Sequence, residues 1–250
     1  MATDETTDQS VRRFFTGQDP LTALQWLMRR LPPAAEPVVA GGAVRDQVIS
    51  HLHGGSSIPA DIDLFIGGLP GSFDLAALFR GETFRVTELG GIRWFPTSSR
   101  YRFDVSLTAN FLSIQKFHLS ATIENLMKSF DFDVNAAAFT PCTGDVYDYG
   151  CVGAVQRRVM GFNSFLIIDK VLLAFRILLI QRKTGFLLAP KVFAFLTGQL
   201  TVENLVDLRS MIRAKEGKAG LANLMKVYDD LCRYGSYDAY RSAFTAKQGK

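Results

Sequence analysis

Two clusters of residues within one stretch, Val38 to Ile66, have the types and spacing to do chemistry. The first is Gly41-Gly42, preceded by the apolar run Val38-Val39-Ala40 and followed by a helical pattern from Ala43 to Ile49. A strand, a glycine turn and a helix start place outward-pointing N–H groups where there is no side-chain bulk and where the helix dipole favours an anion. Phosphate is the natural guest. The second cluster is Asp61-Ile62-Asp63-Leu64-Phe65-Ile66. On a strand, side chains alternate, so Asp61 and Asp63 share one face while Ile62, Leu64 and Ile66 point the other way into a core. Two such carboxylates repel each other unless a cation lies between them, and magnesium takes one or two carboxylates and completes its shell with substrate phosphates. Taken singly, the first cluster is also ordinary turn chemistry and the second a solvated strand end. Taken together they point to phosphoryl or nucleotidyl transfer.

The run Gly41-Gly42-Ala43-Val44-Arg45-Asp46 followed by Asp61-Ile62-Asp63 resembles the head domain shared by class II tRNA nucleotidyltransferases (CCA-adding enzymes) and bacterial poly(A) polymerases, in the polymerase-β-like nucleotidyltransferase superfamily. The resemblance implies an α+β fold, with a mixed, mostly antiparallel sheet holding Asp61, Asp63 and Asp104 at one edge, helices flanking it, and a small all-helical neck after it. It also implies transfer of a nucleoside monophosphate from a nucleoside triphosphate to an acceptor hydroxyl, with release of pyrophosphate. An RNA 3′ end, tRNA-like or not, is the first acceptor; a protein side chain or a small molecule is the alternative, and an inactive nucleotide- or RNA-binding module is a third outcome. Magnesium would sit on Asp61 and Asp63, Gly41 and Gly42 would offer backbone donors to the phosphates, and Arg45 would clamp their charge. Asp46 is expected to cap the helix or pair with Arg45.

Three further segments bear on that expectation. Arg100 to Leu107 alternates polar and apolar residues, placing Asp104 with Arg102 and Ser106 on one face. Asp104 is either a third catalytic carboxylate or the salt-bridge partner of Arg102. Asp131-Phe132-Asp133-Val134-Asn135-Ala136 is similar to the family's second motif, Arg-Arg-Asp-Phe-Thr-x-Asn-Ala, but Ser129-Phe130 stand where the family has its nucleotide-holding arginines. Asp131 and Asn135, one turn apart if the preceding helix continues, either meet the ribose or base or tie the helix to a strand. The helix from Asp169 to Lys183 lies where the family carries its base-selecting motif; Asp169 and Arg176 match, but Lys170 and Leu173 replace an acid and an arginine. Asp169 and Arg176 are then either an altered base contact or a structural pair.

The elements that must position these groups follow from pattern. Leu21 to Leu31 has helical spacing, with Asp19-Pro20 as N-cap and first position and Pro32-Pro33 as its stop. His51-Leu52-His53-Gly54-Gly55-Ser56-Ser57 is expected as a solvent-exposed loop. Leu75 to Phe79 predicts a short helix, Phe84–Thr87 and Ile92–Phe95 two strands around Gly90-Gly91, and Leu119 to Phe130 a helix with Ser120 as N-cap. Phe165 to Ile180 is the most apolar window, broken by Asp169, Lys170 and Arg176, and reads as a buried helix too short to span a membrane. Helices are expected over Val202–Arg213, Leu221–Tyr234 and Tyr237–Phe244, giving a flexible tail over 1–18, a head over 19–162 and a helical neck over 163–250. The polar, acidic start lacks a signal-peptide pattern, and the three cysteines, Cys142, Cys151 and Cys232, have no metal spacing, so a cytoplasmic protein is expected. With 48% hydrophobic residues the chain can bury a core, and a net charge of +4 permits a nucleic-acid partner, which the basic residues Arg176, Arg182, Lys183, Lys191 and Arg213 would meet unless they form a solvated face.

Overall fold

A computed structural model describes residues 6–55, 58–88, 90–163 and 169–248. The chain forms two compact units, one ending at Gln156 and the other beginning at Arg157. In the first unit the order is α1 (Thr7–Phe15), α2 (Gln18–Met28), β1 (Glu36–Ala40), α3 (Gly42–His53), β2 (Asp61–Gly67), a 3-10 turn (Leu75–Phe79), β3 (Phe84–Val86), β4 (Ile92–Trp94), β5 (Arg102–Leu107), α4 (Leu112–Lys116), α5 (Ile123–Ser129), a 3-10 turn (Asp133–Asn135), β6 (Ala137–Phe139), β7 (Val146–Asp148) and α6 (Cys151–Arg157). The strands make one sheet in the order β3-β4-β5-β2-β1-β6-β7, antiparallel throughout except for β2 against β5. This is the expected mixed, mostly antiparallel α+β architecture.

The register explains how one sheet serves as both core and site. Ile92, Val105, Leu64, Val39 and Phe139 are successive cross-strand partners, so they share a face, and all are buried. One residue along each strand, the row Arg85–Arg93–Asp104–Asp63–Ala40–Ala138–Tyr147 lies on the opposite face. A one-residue slip would exchange the two rows, so burial of the apolar row holds the polar one in place. Trp26, Phe79, Trp94 and Phe103 form a run of ring contacts, and Phe15 of α1 stacks on Phe139. A second cluster, Val38, Ala40, Phe65 and Ala138 with Leu126, Met127 and Phe130, covers the other half of the polar-row face.

The second unit contains β8 (Val159–Met160), α7 (Lys170–Thr184), β9 (Leu187–Leu188), α8 (Pro190–Gly198), α9 (Val202–Cys232) and α10 (Tyr237–Gln248). Asp169, expected as the first residue of the helix, is instead the N-cap of α7 through the N–H of Leu172, and Gly185 ends it in the left-handed conformation. The hydroxyl of Tyr240 accepts from Leu188 N–H at 3.0 Å, and burial pushes its pKa up to about 12. Among the described residues no helix is long and apolar enough to cross a membrane.

Several expectations are corrected. Residues 7–15, expected within a flexible tail, form a helix closed by a Thr6/Gln9 capping box, with Val11 and Phe15 fully buried. The carboxylates lie not at an edge but on β2 and β5, which are interior strands. The unit boundary precedes β8, because Val159 and Met160 pair with Leu187 and Leu188 of the second unit. Gly17, not Asp19, is the N-cap of α2; Asp19 instead binds Arg100 through its backbone N–H and side chain. His51 and His53 end α3 rather than entering a loop, with His53 Nε2 2.8 Å from the Val155 carbonyl. The helix before the second motif starts after Thr122, not Ser120. The two helices expected over Val202–Arg213 and Leu221–Tyr234 run closer together than that, as α9 is interrupted only at Gly217, with φ 70° and ψ −171°. Residues 165–168 of the expected buried helix, 1–5 of the tail and Ser56-Ser57 of the loop lie outside the described residues.

Candidate active site

Asp61 and Asp63 project from β2 onto the open half of the polar face, half-buried, while Ile62 and Leu64 are fully buried behind them. Asp104 is the cross-strand partner of Asp63, and Arg102 that of Asp61. Gly41 ends the neighbouring strand and turns at φ 79°; a Cβ placed there would lie 3.6 Å from Asp63 Oδ2. Only glycine adopts that backbone without strain, which is why the turn can bring α3 up beside the carboxylate. The Gly41–Gly42 turn and the acidic pair therefore share one corner of the sheet.

The charges in that corner are distributed differently from what alternation alone suggests. Arg93 of β4 grips Asp104 with both branches, Nε to Oδ1 at 2.8 Å and Nη2 to Oδ2 at 2.7 Å. Arg102 turns to Asp61, Nη2 donating to Oδ2 at 2.7 Å, so the Arg102–Asp104 pair does not form. The Arg93 guanidinium is held above its ordinary pKa first by the hydrogen bond to Asp104, against its own desolvation, and then by the charges of Asp104, Asp61 and Asp63. Neither Arg93 nor Arg85, its partner across β3 and β4, was anticipated as part of the site, although the alternation Ile92-Arg93-Trp94 places Arg93 with Asp104 once the strands are paired.

Arg45, expected to clamp phosphate, is buried. Its Nε and Nη2 donate to Asp46 Oδ1 at 3.1 and 2.8 Å, and its Nη1 to Asn135 Oδ1 at 2.7 Å. With side chains 4% and 2% exposed, the Arg45–Asp46 pair would cost about 3–5 kcal/mol to break from one side. The Arg102–Asp61 pair, 35% and 38% exposed, is worth only about 0–1 kcal/mol. Arg45 and Asn135 therefore join α3 to the second motif, while Arg102 is held weakly enough to move.

Gly41 also differs from expectation, because its N–H donates to the Ala137 carbonyl at 3.2 Å. Helical geometry still leaves the amides of Gly42, Ala43 and Val44 without intrahelical acceptors, and Gly41 at the N-cap has no side chain to cap them. Asp131 does not stand a helical turn from Asn135: α5 stops at Ser129, and Asp131 Oδ1 accepts from Phe132 N–H at 3.1 Å. Ser129 bonds back to the Asn125 carbonyl, and Phe130 packs against Phe65 and Phe111. Where the family pattern has two arginines, this chain has a helix end and a core aromatic. Asp169 and Arg176 belong to the second unit, where Asp169 is the α7 cap and Arg176 is half-buried on the same helix.

Among the described residues no three acidic, histidine or cysteine side chains converge on a point that could hold a metal ion. An all-protein cage is therefore not the fit. Two carboxylates on one strand face, beside amides able to take phosphate, do fit a magnesium ion that keeps waters and shares substrate oxygens.

No protein-family model and no curated protein matches the chain. Solved structures do. An apo CCA-adding enzyme superposes over 89% of this chain with a TM-score of 0.62 at 16% identity. The fold is that of a nucleotidyltransferase head. CCA-adding enzymes in complex with CTP and with ATP each superpose over 82% with TM-scores of 0.54, again at 16% identity. The chain spans about half the length of these structures, 54% in each case. In that fold, the corner formed by the α3 turn, Asp61 and Asp63 is where the half-buried carboxylates of β2 meet the first amides of α3.

Proposed function

We propose that the chain is a magnesium-dependent nucleotidyltransferase that moves a nucleoside monophosphate from a nucleoside triphosphate to the 3′ hydroxyl of an RNA, releasing pyrophosphate. The observation that carries this is the juxtaposition of Asp61 and Asp63 with the Gly41–Gly42 turn on the open face of a nucleotidyltransferase-head sheet. Asp61 and Asp63 would hold magnesium, which when bound neutralises the triphosphate and favours the ionised acceptor hydroxyl. The α3 amides of Gly42, Ala43 and Val44 donate to phosphate oxygens, aided by the dipole of a 12-residue helix. Asp104, held by two hydrogen bonds from Arg93, lies across the β2–β5 register from Asp63 and keeps the Arg93 guanidinium at the same corner. An RNA acceptor is supported by the net positive charge and by the likeness to a structure described as a tRNA-processing enzyme, at TM-score 0.57 and 16% identity.

A second reading has an observation of its own. Asp61 and Asp104 are both neutralised by arginines, and the arginine pair of the second motif is absent, which suits a protein that binds nucleotide without turnover. Incubation with magnesium, each α-labelled nucleoside triphosphate and total RNA separates the two. Label in RNA with wild type, and a loss for Asp63→Asn at least as large as the roughly 10–100-fold drop caused by removing an outer partner of a metal ligand, is expected. Label on protein instead moves the acceptor; nucleotide binding with no label anywhere favours the second reading.

A further inference from the structure

Arg93 and Arg102 face the same cluster of carboxylates but are built differently. Arg93 holds Asp104 as a two-pronged fork, which fixes its plane. Arg102 reaches Asp61 with one nitrogen only, and its Nε, buried and without an acceptor, is left over among the described residues. A buried N–H with no partner marks a group whose full set of bonds is not made in the ligand-free protein. Asp61 and Asp63, like charges on one strand face, need a cation in that state, and Arg102 supplies one to Asp61 across the β2–β5 register.

We propose that Arg102 is an exchangeable counter-ion and the triphosphate ligand of this site. In the ligand-free protein it neutralises Asp61; when a divalent cation takes Asp61, the guanidinium is released to the polyphosphate that arrives with the cation. A guanidinium is suited to both stations, since carboxylate and phosphate present oxygens at matching spacing. Arg102 thereby does from β5 what the second motif cannot do with Ser129 and Phe130. The proposal rests on the nucleotidyltransferase reading of the site.

Binding of Mn2+ alone, and of its complex with inorganic tripolyphosphate, tests it without turnover, by calorimetry on the full chain. Arg102→Met is expected to bind Mn2+ about five-fold tighter than wild type, because the competing cation is gone, and the tripolyphosphate complex about ten-fold more weakly. Arg102→Lys, which keeps the charge without the fork, is expected to bind Mn2+ like wild type yet still lose affinity for tripolyphosphate; it decides the matter if Arg102→Met does not fold. Unchanged Mn2+ and tripolyphosphate affinities in the Arg102 variants, with Asp63→Asn losing both, would overturn the exchange while leaving the site reading intact. A wild type that binds neither probe, or an Asp63→Asn that binds both as well as wild type, overturns the site reading and the exchange together.

Discussion

Arg45 and Arg102 each lie against an aspartate, but their surroundings give them opposite consequences. Replacing Arg45 by Met removes the guanidinium that buried Asp46 and Asn135 Oδ1 accept from. The expected loss is about 3–5 kcal/mol, seen as a fall of roughly 10 °C in the thermal midpoint. Arg102→Met should move the midpoint by no more than a few degrees, since the exposed pair is worth about 1 kcal/mol at most; an equal fall for both would show that burial is not what separates them. Cysteine chemistry should divide in the same way. Burial, helped by the charge of Asp148, pushes the Cys151 thiol up, and its Sγ donates to the Val134 carbonyl at 2.9 Å. A thiol-specific reagent at neutral pH should therefore count Cys142 and Cys232, both exposed, in the native protein and a third thiol only after denaturation. At this scale, Asp61 and Asp63 were legible because strand alternation is local. So was the pairing of Arg45 with its neighbour Asp46; the further partner of Arg45 and the partner of Asp104 were not, because Asn135 lies 90 residues from Arg45 and Arg93 meets Asp104 only through strand pairing.

At the scale of elements, the strand–glycine turn–helix of β1 and α3 and the helical character of α7 could be read from pattern, while the mixed sheet came from the family resemblance. The start of the chain could not. Its polar composition masks a helix that needs only Val11 and Phe15, one turn apart, to dock. Phe15→Ala should remove the stack on Phe139 and cost about 3–5 kcal/mol, lowering the urea midpoint; a change within error would return the segment to the status of a tail. Gly217 offers a complementary test. Open space surrounds its Cβ position, so Gly217→Ala is opposed only by the backbone, at a cost of about 1–3 kcal/mol in the second unit, read by helix melting in circular dichroism. The end of α5, expected at Phe130, is met to within a residue; what fails is its continuation toward Asn135, because Phe130 leaves the helix and packs against Phe65 and Phe111.

Across the whole molecule, each unit holds its own buried core, so their unfolding need not coincide. The chain's two tryptophans, Trp26 and Trp94, both belong to the first unit, whereas helices of both units contribute to circular dichroism. Denaturation followed by fluorescence and by circular dichroism should give separate midpoints; superimposable curves would mean that the units unfold as one. One pairing in the first unit reaches further. The contact between β2 and β5 is the parallel one, and it joins residues 61–66 to residues 102–107 with the β3–β4 hairpin formed from the chain between them. Loop closure of that span must precede the meeting of Asp63 with Asp104, and pairings so distant in sequence are slow. The acidic corner is thus expected to be completed late in folding: until β5 pairs with β2, Asp61 and Asp63 stand together on their strand without Asp104, Arg93 or Arg102 beside them.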